Sequence, residues 1–447
     1  MNLFRLLAAR ADADNPLRVG IIGAGKFGSM FLSQAHRTRG MQVMGVADLN
    51  VEGAKRALDS VNWPAEQYAA KSFDEARASG TCHVTDDSMA MIAAPGMEVI
   101  IDATGSPSVG IRHALEAFRL GRHMVMVNVE ADVLAGPLLA KKAAEAGVVY
   151  SLAYGDQPAL ICEQVDWARA VGLEVIGAGK GTRYQPRFHQ STPETVWDHY
   201  GISAADAKAA RLNAQMFNSF LDGTKSGIEM AAVANATGLS APKDGLKFPA
   251  VGHDSLAQHL IPQEDGGMLE GRGYVEVVAS ETRDGANITD NLRWGVYVTF
   301  DGETDYMKEC FSQYGLITDA GGRYSALWRP YHLIGLELGI SVASAGLRGE
   351  PTGCPDGFRA DVVATTKFAM RAGEELDGEG GYKVWGKLMQ AEDSLRMGGL
   401  PIGLAHGVTL KRDIAQGQPV CWDDVTFNAE DPTVAFRREM ERTFSAG

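Results

Sequence analysis

Short apolar runs and longer amphipathic stretches alternate through the first third of the chain. Near-continuous apolar runs at 19–22, 43–47, 99–101, 124–127 and 148–152 are separated by stretches of helical spacing at 52–58, 111–120 and 137–146. Such a pattern predicts an α/β fold with a doubly wound parallel sheet, covered by helices on both faces. Ligands of these sheets sit beyond the carboxyl ends of the strands, so the residues after each run are the first place to look for chemistry. Ahead of the first strand, residues 1–16 read as a short amphipathic helix, with Leu3, Leu6 and Leu7 on one face and Asp12 and Asp14 soon after.

Further on the pattern is mixed. Residues 165–171 read as helix, 174–176 as strand, and 204–237 as a helical stretch rich in Ala, Met and Phe. Two strands are expected at 274–280 and 294–300, joined through a polar loop containing Asp284-Gly285, and a buried helix at 331–345 with Pro330 near its start. This suits an α+β domain that carries substrate contacts and a dimer sheet. From about 360, after a helix-like stretch, glycine, proline and short β-like segments take over. There 371–376 and 414–420 echo each other weakly, as in a compact β-clip. Three segments follow: a Rossmann domain over 1–156, an α+β catalytic and dimerisation domain over 157–359, and a small β-clip domain over 360–447.

Gly23-Ala24-Gly25-Lys26-Phe27-Gly28 follows the first apolar run, and Asp48 ends the second. Strand, glycine turn, helix, strand and acid form a dinucleotide-binding fingerprint. Gly23 allows the tight turn, Gly25 lets a pyrophosphate approach bare backbone, and Gly28 lets helix and strand pack. The amides that open the helix, at Lys26 and Phe27, hold the phosphates. Asp48 accepts hydrogen bonds from a ribose 2′-OH and repels a 2′-phosphate, which favours NAD. After Ile101 comes a small-residue turn in which Thr104 and Gly105 leave room for the cofactor; an ordinary strand-to-helix turn is the plain alternative. Asn128 and Glu130, after the run ending at Val127, are candidates to line the nicotinamide pocket.

The 447 residues suit two or three domains. A net charge of −14 argues against nucleic acid or an anionic membrane as partner, and an anionic substrate must be met by a local basic cluster. No apolar stretch approaches a membrane span, and the N-terminus lacks the pattern of a secretory signal. Five cysteines without a CxxC pair suit a reducing cytoplasm, and point to neither a disulfide framework nor a zinc site.

Several segments together resemble a known family. Residues 126–136, Met-Val-Asn-Val-Glu-Ala-Asp-Val-Leu-Ala-Gly, are similar to the Asn-Lys-Glu or Asn-Lys-Ala segment of deoxyxylulose-phosphate reductoisomerases and homoserine dehydrogenases. Phe220-Leu221-Asp222-Gly223-Thr224-Lys225 resembles the Leu-Asn-Gly-Thr turn of homoserine dehydrogenases, and 411–420 resembles the SAF (antifreeze-like, β-clip) domain. This combination resembles the deoxyxylulose-phosphate reductoisomerase-like oxidoreductases, a bacterial group linked to isoprenoid precursor synthesis. One departure stands out: Val129 occupies the position where the related segments carry lysine. The resemblance implies hydride reduction of an aldehyde or ketone, by NADP(H) more than NAD(H), after a carbon-skeleton rearrangement. Lys55 or Arg56 would then meet a 2′-phosphate.

Such chemistry needs a proton donor and a group that stabilises the developing alkoxide. Lys225 is the first candidate, at an expected helix start after Asp222, with Glu229 one turn on. Its alternative is a solvated helix cap with an i,i+4 Lys–Glu pair. Asp222 reads as acid/base partner or as N-cap. Lys180, in Gly177-Ala178-Gly179-Lys180-Gly181-Thr182, reads as a lysine on a flexible glycine turn after a strand, facing the nicotinamide or simply exposed. Arg183 and Arg187 extend the basic cluster as anion clamps, and Arg329 and His332, where the 331–345 helix is expected to begin, are candidates to bind substrate, a structural histidine being the plain alternative. The resemblance also brings in Mg²⁺ or Mn²⁺, for which Glu130, Asp132, Asp156 and Glu229 could supply oxygens, though no spacing fixes a ligand set. The expected protein is a cytoplasmic homodimer with a small anionic substrate. A homoserine-dehydrogenase-like enzyme of a hydroxy acid or sugar acid, and a non-catalytic cofactor sensor, are the competing readings.

Overall fold

Six parallel strands form the sheet of the first unit: β1 (Leu17–Ile22), β2 (Met41–Ala47), β3 (His83–Thr85), β4 (Val99–Asp102), β5 (His123–Met126) and β6 (Tyr150–Leu152). Their order is β3-β2-β1-β4-β5-β6, the arrangement of a Rossmann-type sheet, in which the order of strand addition reverses between β1 and β4. Every residue of β2 and of β4 is buried, which is why these strands read as continuous apolar runs. The computed structural model describes residues 2–210 and 212–445. Met1 of the expected first helix, Arg211 of the expected 204–237 stretch and residues 446–447 of the tail lie outside them.

The chain divides into two units, 1–160 with 333–356, and 161–332 with 357–447. The break expected at 156 falls at 160, residues 333–356 return to the first unit, and the tail segment clusters with the middle one. In the first unit the helix Leu3–Asp12 buries Leu3 and Leu7 in the same core as Leu338 and Val342. Two short helices, Phe73–Ser79 and Ser88–Ala93, flank β3 and were not anticipated, although Ser72 and Asp87 cap them. The helix expected from Pro137 starts eight residues earlier, at Val129, where the Asn128 side chain accepts from the Ala131 amide. Proline is favoured in a first helical turn, but here Pro137 lies inside the helix.

The second unit contains a mostly antiparallel sheet in the order β10-β9-β7-β8, from β7 (Glu174–Thr182), β8 (Tyr274–Ala279), β9 (Val296–Asp301) and β10 (Tyr324–Arg329). Only β7 and β8 pair in parallel. The segment expected as a glycine turn is therefore the second half of β7. A Cβ on Gly179 would stand 1.8 Å from the Glu276 carbonyl oxygen, and one on Gly181 1.9 Å from that of Leu292. Close backbone approach, not turn flexibility, requires these glycines.

Three further expectations are corrected. The 204–237 stretch is three helices, Ala204–Ala209, Ala214–Leu221 and Thr224–Thr237; Asn213 caps the second, and Gly223 (φ +94°) breaks the chain before the third. The 331–345 helix begins only at Gly339, because Gly335 takes φ +77° where a Cβ would meet Met30 at 2.7 Å. The helix-like stretch after 360 is the strand β11 (Ala360–Thr366). It pairs with β13 (Val384–Gln390), while β12 (Glu375–Asp377), β14 (His406–Leu410) and β15 (Val425–Thr426) make a three-stranded sheet. An antiparallel bridge joins Met370, just before the first echoing segment, to Ile414 of the second.

Candidate active site

In the first unit the glycine turn links β1 to the helix Lys26–Ala35. Gly23 takes φ +100°, and a Cβ there would stand 2.6 Å from the Ala103 carbonyl oxygen; one on Gly28 would stand 2.3 Å from that of Gly23. A Cβ on Gly25 would meet nothing within 4 Å. Gly25 and Lys26 are exposed, while Phe27 packs against the core. Asp48, just past β2, accepts from the Ala24 amide at 2.8 Å and from the Asn50 amide at 2.8 Å, tying the turn to the strand end. Beside it Leu49 is 95% exposed.

Past β4, Gly105 (φ +67°) is also open to an added Cβ. Thr104 Oγ1 donates to Asp102 Oδ1 at 2.8 Å, and the buried His113 holds Asp102 Oδ2 through Nδ1 at 2.7 Å. Ser88 Oγ stands 2.9 Å from His113 Nε2. Sequence reasoning missed this Asp102–His113–Ser88 chain because its members come from three separate elements. Asn128 caps its helix, and Glu130 lies in that helix's first turn. Open backbone at Gly25 and Gly105 and a helix start supply donors, and the Asp48 carboxylate an acceptor, of the kinds a pyridine dinucleotide needs.

In the second unit the structure brings together two of the nominated residues. Lys180 of β7 hydrogen-bonds through Nζ to the carboxylate of Glu229, in the second turn of Thr224–Thr237. Lys180 is 6% exposed and Glu229 4%. The correction of the turn to a strand thus moves Lys180 from a mobile surface to a fixed, buried ion pair. Lys225 lies one turn before Glu229 on the same helix.

The other nominees are scattered. Asp222 is buried; it accepts from the Thr224 amide at 2.9 Å and pairs with Lys367 Nζ at 2.8 Å, so its carboxylate is committed to the fold. Lys367 also donates to the carbonyls of Ser191 and Gly381, both at 2.7 Å, and nothing local in the sequence announced it. Arg183 pairs with Glu281 and reaches the His199 carbonyl. Arg187 is exposed, and both guanidiniums lie over the Phe188 ring, 5.7 and 5.6 Å from its centroid. Arg329 ends β10 with its guanidinium 4.7 Å from the Tyr331 ring centroid. His332 Nδ1 bonds the Trp294 carbonyl at 2.7 Å. Neither stands at a helix mouth, since that helix starts at Gly339.

One of the suggested metal carboxylates is already engaged in the first unit. Asp132 accepts from the Tyr150 hydroxyl at 2.8 Å, and burial pushes its carboxyl up to about 7. Among the described residues, the group of side chains close enough to share an ion is His253, Asp254 and Asp290, none of them nominated. There Asp290 accepts from the Asp254 amide at 3.0 Å, which ties two loop segments together.

Residues 17–130 match the family described as oxidoreductase family, NAD-binding Rossmann fold. Residues 155–338 match the one described as oxidoreductase DRL, catalytic domain. With the strand order and the glycine cradle, the class is defined: the chain joins the NAD(P)-binding domain and the catalytic domain of an NAD(P)-dependent oxidoreductase. Similar solved structures include the biliverdin reductase of Synechocystis sp. PCC 6803, at 18% identity over 38% of this chain and 48% of that one, with a TM-score of 0.24. The myo-inositol dehydrogenase of Lactobacillus casei gives 16% over 40% and 50%, TM-score 0.27. The 1-deoxy-D-xylulose 5-phosphate reductoisomerase of Zymomonas mobilis gives 20% over 49% and 58%, TM-score 0.33. The chain spans about half the length of the first two. No functionally curated protein matches it. Among the described residues no helix is long and apolar enough to cross a membrane.

Proposed function

We propose that the protein reduces a carbonyl group of a small anionic substrate with NAD(P)H, and that Lys180 is its proton donor. The buried Lys180–Glu229 pair carries this reading. Taking an ammonium and a carboxylate out of water costs on the order of several kcal/mol per ion, and two packed apolar side chains would avoid that cost. Glu229 fixes the lysine head group in place. The bound nicotinamide supplies the hydride, two electrons and a proton nucleus, to the carbonyl carbon. Lys180 gives a proton to the oxygen as negative charge develops there, Glu229 holds the lysine in position, and solvent restores the proton. General acid catalysis of this kind contributes roughly 10²–10⁴-fold. On this reading Gly23, Gly25, Lys26, Phe27 and Gly28 hold the pyrophosphate, Asp48 the adenosine ribose, and exposed Leu49 one face of the adenine. Thr104, Gly105, Asn128 and Glu130 receive the nicotinamide end.

For the substrate we favour deoxyxylulose phosphate, rearranged and then reduced, as the family resemblance implies, with Arg183 and Arg187 around Phe188 as the phosphate clamp. One observation favours a hydroxy acid or sugar acid instead. Lys180 and Arg183 are each already paired with a carboxylate, and a single substrate carboxylate needs fewer cations than a phosphate. Exposed Leu327 on the edge strand β10, and Ile317, whose carbonyl accepts from Ser325 of that strand, support a homodimer. The deciding experiment follows NAD(P)H oxidation with phosphorylated and free keto-sugars and keto acids, with and without Mg²⁺ or Mn²⁺, in the wild type and in Lys180→Met. Turnover that falls at least a hundredfold in Lys180→Met supports the proposal. Cofactor binding without turnover on any carbonyl would favour the sensor reading, and full activity in Lys180→Met would remove the lysine from the mechanism.

A further inference from the structure

The second unit contains a cavity of about 240 Å³ that none of Lys180, Glu229 or Lys225 lines. Its walls come from the start of the helix Thr224–Thr237, the 244–248 loop and β13. On that helix Gly223 and Gly227 face the cavity, whereas Lys225 and Glu229 lie two positions on, about 200° round the axis. The cavity and the ion pair therefore belong to different sides of one helix.

Three rings, of His189, Phe248 and Trp385, stand in a wall otherwise rich in glycine. His189 stacks on Trp385 with centroids 4.0 Å apart, and Phe248 stacks on Tyr184 at 3.9 Å. The histidine is locked: the Asp222 carbonyl at 2.7 Å can only accept, so Nδ1 carries the hydrogen, and Nε2 accepts from the Tyr184 hydroxyl at 2.8 Å. Burial holds its pKa below the usual value, and the neighbouring Lys387 adds to this. His189 is thus a neutral flat surface and not a base. Phe248 takes φ +48°, a left-handed conformation that is strained for an aromatic residue. Its amide and that of Lys247 are held by the buried Glu276 carboxylate at 3.1–3.3 Å. Strain kept in place by a buried acid fixes the ring at the cavity wall.

Charge is sparse and unspent. Lys387 is half-buried in the wall, and among the described residues it forms no ion pair. Asp244, on the exposed rim, is likewise unpaired. An apolar cavity of about 150 Å³ accommodates a benzene ring, so this one has room for a single ring and one polar substituent, well short of a dinucleotide.

We propose that this cavity is a second small-molecule site, which binds a flat, single-ring organic carboxylate with its ring against the His189–Trp385 and Phe248 surfaces and its carboxylate on Lys387. The site goes beyond the oxidoreductase reading and does not depend on it. The test titrates the full-length protein with benzoate by calorimetry, with cyclohexanecarboxylate as the non-planar acid and benzamide as the uncharged ring. Saturable one-to-one binding of benzoate is expected, equal in the presence and absence of NADH, and at least tenfold tighter than either control. Lys387→Met should weaken it tenfold or more while melting normally and binding NADH as before; Trp385→Leu provides the aromatic arm. Lys180→Met should bind benzoate unchanged even where it abolishes turnover, which separates this site from the proposed catalytic one. No saturable benzoate binding, equal affinity in Lys387→Met, or competition with NADH would overturn the proposal.

Discussion

Gly25 and Gly28 lie three residues apart in one turn, yet substitution by alanine should fail at one in binding and at the other in folding. Gly25 takes φ −68° and ψ −163°, which any residue adopts, and its added Cβ meets no protein atom within 4 Å. Gly25→Ala should therefore melt within about 1–2 °C of wild type, as expected of a substitution without a packing penalty. The methyl group would occupy the place where the pyrophosphate meets the backbone. Losing two charge-assisted hydrogen bonds, at about 1.5–3 kcal/mol each, removes at least about 3 kcal/mol of binding, or more than a hundredfold in Kd. Gly28→Ala places its methyl 2.3 Å from the Gly23 carbonyl oxygen, so helix or strand must move by about an ångström. Overpacking of this kind costs about 1–3 kcal/mol, and a unit of this size would lose roughly 2–10 °C in Tm. NADH fluorescence titration and scanning calorimetry on both variants and wild type separate the effects. A Gly25→Ala protein that binds NADH within threefold of wild type would refute the cradle, and a Gly28→Ala protein with unchanged Tm would refute the packing argument.

Three other outcomes are expected. Asp48→Asn keeps an acceptor for the Ala24 amide but removes the charge that disfavours a 2′-phosphate, so the ratio of NADH to NADPH affinity should fall about tenfold or more; an unchanged ratio by titration would place the ribose elsewhere. Arg437, fully buried, pairs with Asp361 at 2.6 Å and Glu441 at 2.9 Å; Arg437→Met leaves the buried Asp361 without a counter-charge, while Glu441 keeps Arg438, and should cost about 3–5 kcal/mol in urea unfolding, whereas a loss below about 1 kcal/mol would show that the site rehydrates. Burial raises the Glu276 carboxyl to about 7 against its three backbone donors. The folded state therefore keeps a proton that the unfolded chain releases near 4.5. This contribution is complete below that pH and is lost as pH rises towards 7, on the order of 3 kcal/mol in all. Urea midpoints should fall across that window in wild type, and less steeply in Glu276→Gln; identical slopes would exclude Glu276 as the cause.

What the sequence disclosed follows from how each feature is encoded. The first sheet was legible because strands buried on both faces appear as uninterrupted apolar runs, and because backbone contacts at Gly23 and Gly28 admit no other residue. β3 was illegible for the opposite reason: it has three residues, of which only Val84 is buried. The candidate catalytic pair was half legible. Lys180 and Glu229 were both nominated, but on different grounds and without their partnership, since 49 residues separate them and no periodicity spans that gap. The placement of Lys180 failed through one ambiguity. Glycine at 177, 179 and 181 looks like a flexible turn by composition, but its spacing of two is that of a strand with one bare face. That bare face lets the backbone carbonyls of Glu276 and Leu292 approach, and the alternate face then presents Ala178 and Lys180, both buried. A charged residue on the filled face of such a strand cannot be solvated, so it must have a buried counter-charge on whatever packs there. That inference needs only the spacing, and it would have led from Lys180 to the carboxylate of the Ala- and Met-rich helix that carries Glu229.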